Sequence, residues 1–200
     1  MELSSPTPYE LPQRIALIGL DDGMATQDMD FRRVLFLDFD GVLHPETCER
    51  ASNFCCLPNF CDVLRLVDPD HRIPIVISSM WRHYNTLDSM RDAFPQDIAC
   101  QIVGVTSYMS VVELKSVLDW VPLGGEQAES RHRQREILMW MRDNAPAGEW
   151  LAIDDRAEYF FDACPNLFLV PRSHRAGAGG ITSEVAFNLL ARLRKFLTVP

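Results

Sequence analysis

Between residues 33 and 171 the chain alternates short, unbroken apolar runs with longer segments whose apolar residues recur at helical spacing. Five runs read as strands: RVLFLDFDG from residue 33, RIPIVISS (72–79), IACQIVGVTS (98–107), EWLAIDD (149–155) and NLFLVP (166–171). Continuous apolar character suits strands covered on both faces, as in parallel sheets. Helices are expected at 59–67 (NFCDVLRLV, after a proline), at 85–94 (NTLDSMRDAF, ending before Pro95), at 135–144 (REILMWMRDN) and at 182–197 (TSEVAFNLLARLRKFL). This alternation predicts an α/β fold, a mainly parallel five-stranded sheet between helices on both faces. Within 108–130, VVELKSVLDW reads as helix and VPLGGEQAES as loop. Residues 1–30 stand apart as an appendage of irregular texture, whose patch IALIGL (15–20) suits a short edge strand or a tail segment; residues 31–200 form the expected domain.

Composition narrows the function classes. A chain of 200 residues can bury a core without disulfides or a structural metal. Its 19 basic against 28 acidic residues give a formal net charge of −9, which argues against extended nucleic-acid binding. No run approaches the roughly 20 apolar residues of a membrane span, and MELSSPTPYELPQR lacks the basic start of a secretory signal, so a cytoplasmic protein is expected. Of the six cysteines, Cys48, Cys55, Cys56 and Cys61 cluster in sequence. Adjacent cysteines cannot easily face one tetrahedral metal together, so reduced, largely buried thiols are expected rather than a zinc site.

Ligands of open parallel sheets bind beyond the carboxyl ends of the strands. There the first strand delivers Asp38 and Asp40, the second Ser78 and Ser79, and the fourth Asp154 and Asp155. A single Asp after a strand is most often a cap or turn former. Two strands each ending in paired acids fit that explanation poorly. Asp38 and Asp40, two apart in an extended segment, can face one side, and Gly41 permits a tight turn beside a ligand. Four carboxylates at one edge repel each other unless a hard divalent cation sits among them, and Mg2+ fits best.

At this point FLDFDGVLHP (36–45) resembles the first motif of the haloacid dehalogenase (HAD) superfamily. IVISS (75–79) resembles its second motif, the arginines at 131–135 its basic third, and LAIDD (151–155) its acidic fourth, in the family's order. ISSMWR, REILMW and GGITSEVAFNLL are similar to a minimal-cap branch, the HAD domain of RNA-repair polyproteins. The resemblance implies a Rossmann-like three-layer sandwich with a minimal cap. It also implies a magnesium-dependent phosphohydrolase that works through an aspartyl phosphate on Asp38, with Asp40 as general acid and base. Ser78 and one arginine, preferably Arg133 over Arg131 and Arg135, would bind the phosphoryl group. Asp38, Asp40 (through its carbonyl), Asp154 and Asp155 would hold the metal. Like charge nearby is expected to raise the Asp40 pKa, as an acid role needs.

Other candidates rest on position alone. Ser79, Arg82 and His44 are expected to contact substrate, and Trp81 to pack. His174 and Arg175 precede AGAGG (176–180), which lacks the P-loop lysine and follows the wrong strand. Only 37 residues separate Asp40 from Ser78, too few for a large cap domain, although 108–130 has room to shade the entrance. The expected partner is a phosphorylated substrate of unidentified structure. A metal-dependent nuclease, a nucleic-acid end-processing phosphatase and a non-catalytic phosphate-binding module remain as alternatives. A receiver domain is excluded because its acidic pair and phosphoacceptor lie on different strands from those here.

Overall fold

In the first strand every residue from Val34 to Leu37 is wholly buried, and successive side chains feed different cores. This computed structural model describes residues 29–107, 131–173, 175 and 178–198. Its elements run β1 (Arg33–Leu37), α1 (Leu57–Val67), β2 (Ile75–Ile77), α2 (Leu87–Arg91), α3 (Gln96–Ala99), β3 (Ile102–Val105), α4 (His132–Asn144), β4 (Glu149–Asp154), β5 (Leu167–Leu169) and α5 (Ser183–Thr198), with short 3-10 turns including Met80–His83. The five strands form one all-parallel sheet in the order β3-β2-β1-β4-β5. The expected α/β architecture, a five-stranded parallel sheet with helices on both faces, is the one observed.

Leu35 and Leu37 pack on one face with Phe60 and Leu64 of α1 and Leu189 and Leu193 of α5. Both helices present apolar residues three or four apart, so each lays one stripe on the sheet. Complete burial of a leucine such as Leu189 stabilises the fold by about 2 kcal/mol. Val34 and Phe36 point the other way, onto Ile137 and Met141 of α4. The edge of the Phe36 ring meets Trp140 and Trp150 at centroid distances of 5.5 and 6.3 Å.

Two expected elements change. The run at 98–107 is not one strand: Pro95 caps the short helix α3, Ile98 enters the core from that helix, and pairing begins at Ile102. The helix expected over 85–94 shortens to Leu87–Arg91, started by the Thr86 hydroxyl accepting the Ser89 N–H at 3.2 Å. Between β1 and β2 lie a tight turn, a 3-10 turn and α1, and no cap domain. The patch at 15–20, the segment 108–130 and His174 lie outside the described residues.

Chain connections run from β1 outward to β3 and then cross to β4 on the other side of β1. That reversal opens a crevice above the carboxyl ends of β1 and β4.

Candidate active site

Strand register builds the site. Leu37 lies opposite both Ile77 and Ile153, and Ile77 opposite Val105. The next residues out, Thr106, Ser78, Asp38 and Asp154, therefore form a row across β3, β2, β1 and β4. Backbone bonds fix its level: the Asp38 N–H donates to Ile153 O at 3.1 Å, Ser78 N–H to Leu37 O at 2.8 Å and Thr106 N–H to Ile77 O at 2.9 Å. Because Leu37, Ile77 and Ile153 face α1 and α5, their successors face the start of α4. Arg133 enters from that first turn, its Nη1 3.4 Å from Asp38 Oδ1 and 3.6 Å from Asp154 Oδ2.

Oxygens of Asp38, Asp154 and Asp155 lie within 4.8 Å of one another, and all three residues are buried. Burial is the main reason their pKa values rise, with mutual repulsion adding to it; Asp155 is pushed up to about 6 and Asp154 well above the usual carboxylate range. Burial alone would lower the Arg133 pKa, but attraction to Asp38 and Asp154 outweighs it and the value rises. Arg133 answers Asp38 and Asp154, while Arg156 and Arg172, both shared with Glu46, approach Asp155 at 3.7 and 3.4 Å. Three clustered hard oxygen donors fit a divalent cation such as Mg2+. The backbone crowds the same point, since a Cβ on Gly41 (φ +74°) would lie 2.3 Å from Asp155 Oδ2.

Asp40 is not one of these three; its carboxylate is held by two side-chain donors. Its Oδ1 lies 2.9 Å from His44 Nε2, and the Trp81 indole N–H donates to Oδ1 and Oδ2 at 3.0 and 3.1 Å. The His44 hydrogen bond, followed by that from Trp81, overcomes burial and lowers the Asp40 pKa. The expected upward shift from like charge is thus reversed, because two donors touch the carboxylate directly. Trp81 also packs, edge to face, on Phe39 and Phe54. Its polar contact with Asp40 was missed because it joins residues 41 positions apart.

Ser78 Oγ is buried beside Asp38 and has no hydrogen-bond partner. Ser79, expected at the substrate, hydrogen-bonds Asp38 through its hydroxyl, which also accepts the Trp81 N–H at 3.5 Å. Arg82, also expected at the substrate, has a buried guanidinium that donates to Glu136 Oε2 on α4 at 2.8 Å and to Ser79 O at 2.9 Å, which fixes the turn. Of the three candidate arginines, Arg133 reaches the acids. Arg131 pairs with Asp162, and Arg135 is buried with no pairing to the cluster.

A rim network was not foreseen from sequence. Glu46, in the loop after β1, bridges Arg156 after β4 and Arg172 after β5, and both arginines lean over Asp155. All six cysteines are free. Burial pushes Cys56 up to about 12 and Cys61 up to about 11, so these are thiols at neutral pH. Gly180 (φ +78°) lets the chain pass the Val42 carbonyl, a packing role for part of the glycine-rich segment.

A parallel α/β sheet carrying buried acids at the ends of β1 and β4, a serine after β2 and a basic residue from α4 is the arrangement of a HAD-type hydrolase. Residues 34–180 match the family described as the HAD domain in Swiss Army Knife RNA repair proteins, and the chain belongs to that family. No curated protein and no solved structure matches the chain. No helix among the described residues is long and apolar enough to cross a membrane.

Proposed function

We propose that the protein is a magnesium-dependent phosphomonoester hydrolase acting through an aspartyl phosphate on Asp38. The observation that carries this reading is the clustering of three buried carboxylates, two of them against Arg133, beside an unpartnered Ser78 hydroxyl. Arg133 Nε and Nη1 also lack hydrogen-bond partners, so unused donors surround the Asp38 oxygens, as phosphoryl binding requires. Asp38, Asp154 and Asp155 would hold the cation, with the Asp40 carbonyl as a further ligand. Bound there, it would neutralise the acids and polarise the phosphoryl group.

An Asp38 oxygen attacks phosphorus while the bond to the leaving oxygen breaks, and Asp40 supplies the proton that oxygen takes up. Asp40, now a carboxylate, removes a proton from water. The resulting hydroxide attacks phosphorus, the bond to Asp38 breaks and inorganic phosphate departs. Ser78 and Arg133 hold the non-bridging oxygens in both steps. The lowered Asp40 pKa suits the second step directly; for the first, Asp40 must take up a proton before the leaving oxygen departs.

No cap domain lies between β1 and β2, and the family's association with RNA repair makes a phosphorylated RNA end the first substrate to assay. The protein is expected in the cytoplasm. Phosphate release from p-nitrophenyl phosphate and from 5′- and 3′-phosphorylated oligonucleotides, with and without Mg2+, tests the reading. Asp38→Asn should remove turnover while retaining the fold; unchanged turnover refutes the nucleophile. Oligonucleotide cleavage without terminal phosphate release would instead favour a nuclease.

A further inference from the structure

Asp40 has 45% of its side chain exposed, yet it is the most closely restrained carboxylate of the site. Its restraints are themselves restrained. His44 is almost wholly buried, and its Nδ1 accepts the Phe54 N–H at 3.4 Å. That contact fixes the tautomer: the ring proton lies on Nε2 and is donated to Asp40. Phe54 takes a left-handed backbone, φ 62°, a conformation an aromatic residue rarely adopts. In that conformation its N–H meets His44, while its ring lies edge-on to His44 and Trp81 at 5.5 and 5.2 Å. Strain held beside a reactive group points to a demand on geometry there. The second restraint, Trp81, rides on the turn that Arg82 anchors to Glu136 and Ser79.

We propose that His44 and Trp81 are positioning residues that aim the Asp40 carboxyl at the leaving-group oxygen, equipping the site for phosphate esters of unactivated alcohols. The inference rests on the aspartyl-phosphate reading above. Both side chains act only as donors toward Asp40: an indole has no acceptor, and the acceptor nitrogen of His44 is occupied by Phe54. Neither can take the proton Asp40 carries. Besides lowering its pKa, they fix where the carboxyl sits. An alkoxide leaves poorly without a proton delivered along the breaking bond, whereas p-nitrophenolate leaves readily without one. Loss of aim therefore falls on the first class of ester.

The experiment compares kcat/KM for p-nitrophenyl phosphate and for glycerol phosphate in wild type, Trp81→Phe, His44→Leu and His44→Gln, with Asp38→Asn as control and thermal melting to verify folding. Trp81→Phe keeps an aromatic ring and removes the donor; His44→Gln keeps a donor at the reach of Nε2. Trp81→Phe and His44→Leu are expected to lose about 10²-fold on glycerol phosphate and less than about threefold on p-nitrophenyl phosphate, the scale of a lost general acid. His44→Gln should recover most of the alkyl activity. Equal losses on both substrates, no loss on either, or no rescue by glutamine would overturn the proposal while leaving the nucleophile assignment standing. Turnover by Asp38→Asn would overturn the reading beneath it.

Discussion

Gly41→Ala tests how far the acidic cluster depends on one missing side chain. The new Cβ would lie 2.3 Å from Asp155 Oδ2 and 2.5 Å from its Cγ. Ordinary contact begins near ~3.5 Å, so the carboxylate must retreat by about 1 Å or the turn must open. The backbone adds its own cost, because at φ +74° an L residue is disfavoured by about 1–2 kcal/mol. A global loss of that order leaves the protein folded. The local effect is larger: a 1 Å misplacement in a reacting site can cost about 10²-fold in rate, equivalent to about 2.7 kcal/mol of barrier. Phosphate release with magnesium titration, alongside urea denaturation without metal, separates the two effects. Gly41→Ala should unfold at slightly lower urea, need more magnesium for half-maximal rate and turn over about 100-fold more slowly. A folded variant with wild-type rate and wild-type magnesium dependence would refute the placement of Asp155 against the turn.

Other consequences follow from the same geometry. Asp155, raised to about 6, holds a proton at pH 5 that the unfolded chain largely lacks, so in metal-free protein its contribution to stability is lost as pH rises through about 6. Magnesium needs the ionised form, and its stabilisation should therefore grow from pH 5 to pH 7.5, by about tenfold in affinity for this one group; a thermal shift independent of pH would contradict it. Asp38→Asn removes one of three mutually repelling buried acids, so the metal-free variant should melt at or above the wild-type temperature. A clearly lower melting point would show that Asp38 supports the fold. Arg82→Met should lower unfolding free energy by about 3 kcal/mol in urea, because Glu136 loses a buried partner, and adding Glu136→Leu should restore much of it. An undiminished stability in the single variant would show the pair to be dispensable.

What could be read from the chain was whatever depends on near neighbours. The run at 33–37 announces a doubly covered strand because both of its faces are buried, and the acids after it are informative because a strand end points outward. The run at 98–101 misled because Ile98, Ala99 and Cys100 are apolar in helix and strand alike; Pro95 turned the balance by starting α3. Trp81 packs as expected and also donates to Asp40, and the Arg82 guanidinium pairs with Glu136; neither polar contact is legible in the chain. Both outcomes depend on partners brought close only by sheet order and by the approach of α4. The bridge from Glu46 to Arg156 and Arg172 was invisible for the same reason, since it joins three loops distant in sequence.

Main-chain bonds between adjacent strands, rather than side-chain fit, set the height of Asp38, Ser78 and Thr106. Substituting apolar residues beneath them should therefore soften the molecule before it disturbs the chemistry. A single residue inserted into β1 would do the reverse, swinging Asp38 to the wrong side of the sheet however well the interior accommodated it. The fold has wide latitude in what fills its interior and almost none in how many residues each strand counts out before it ends.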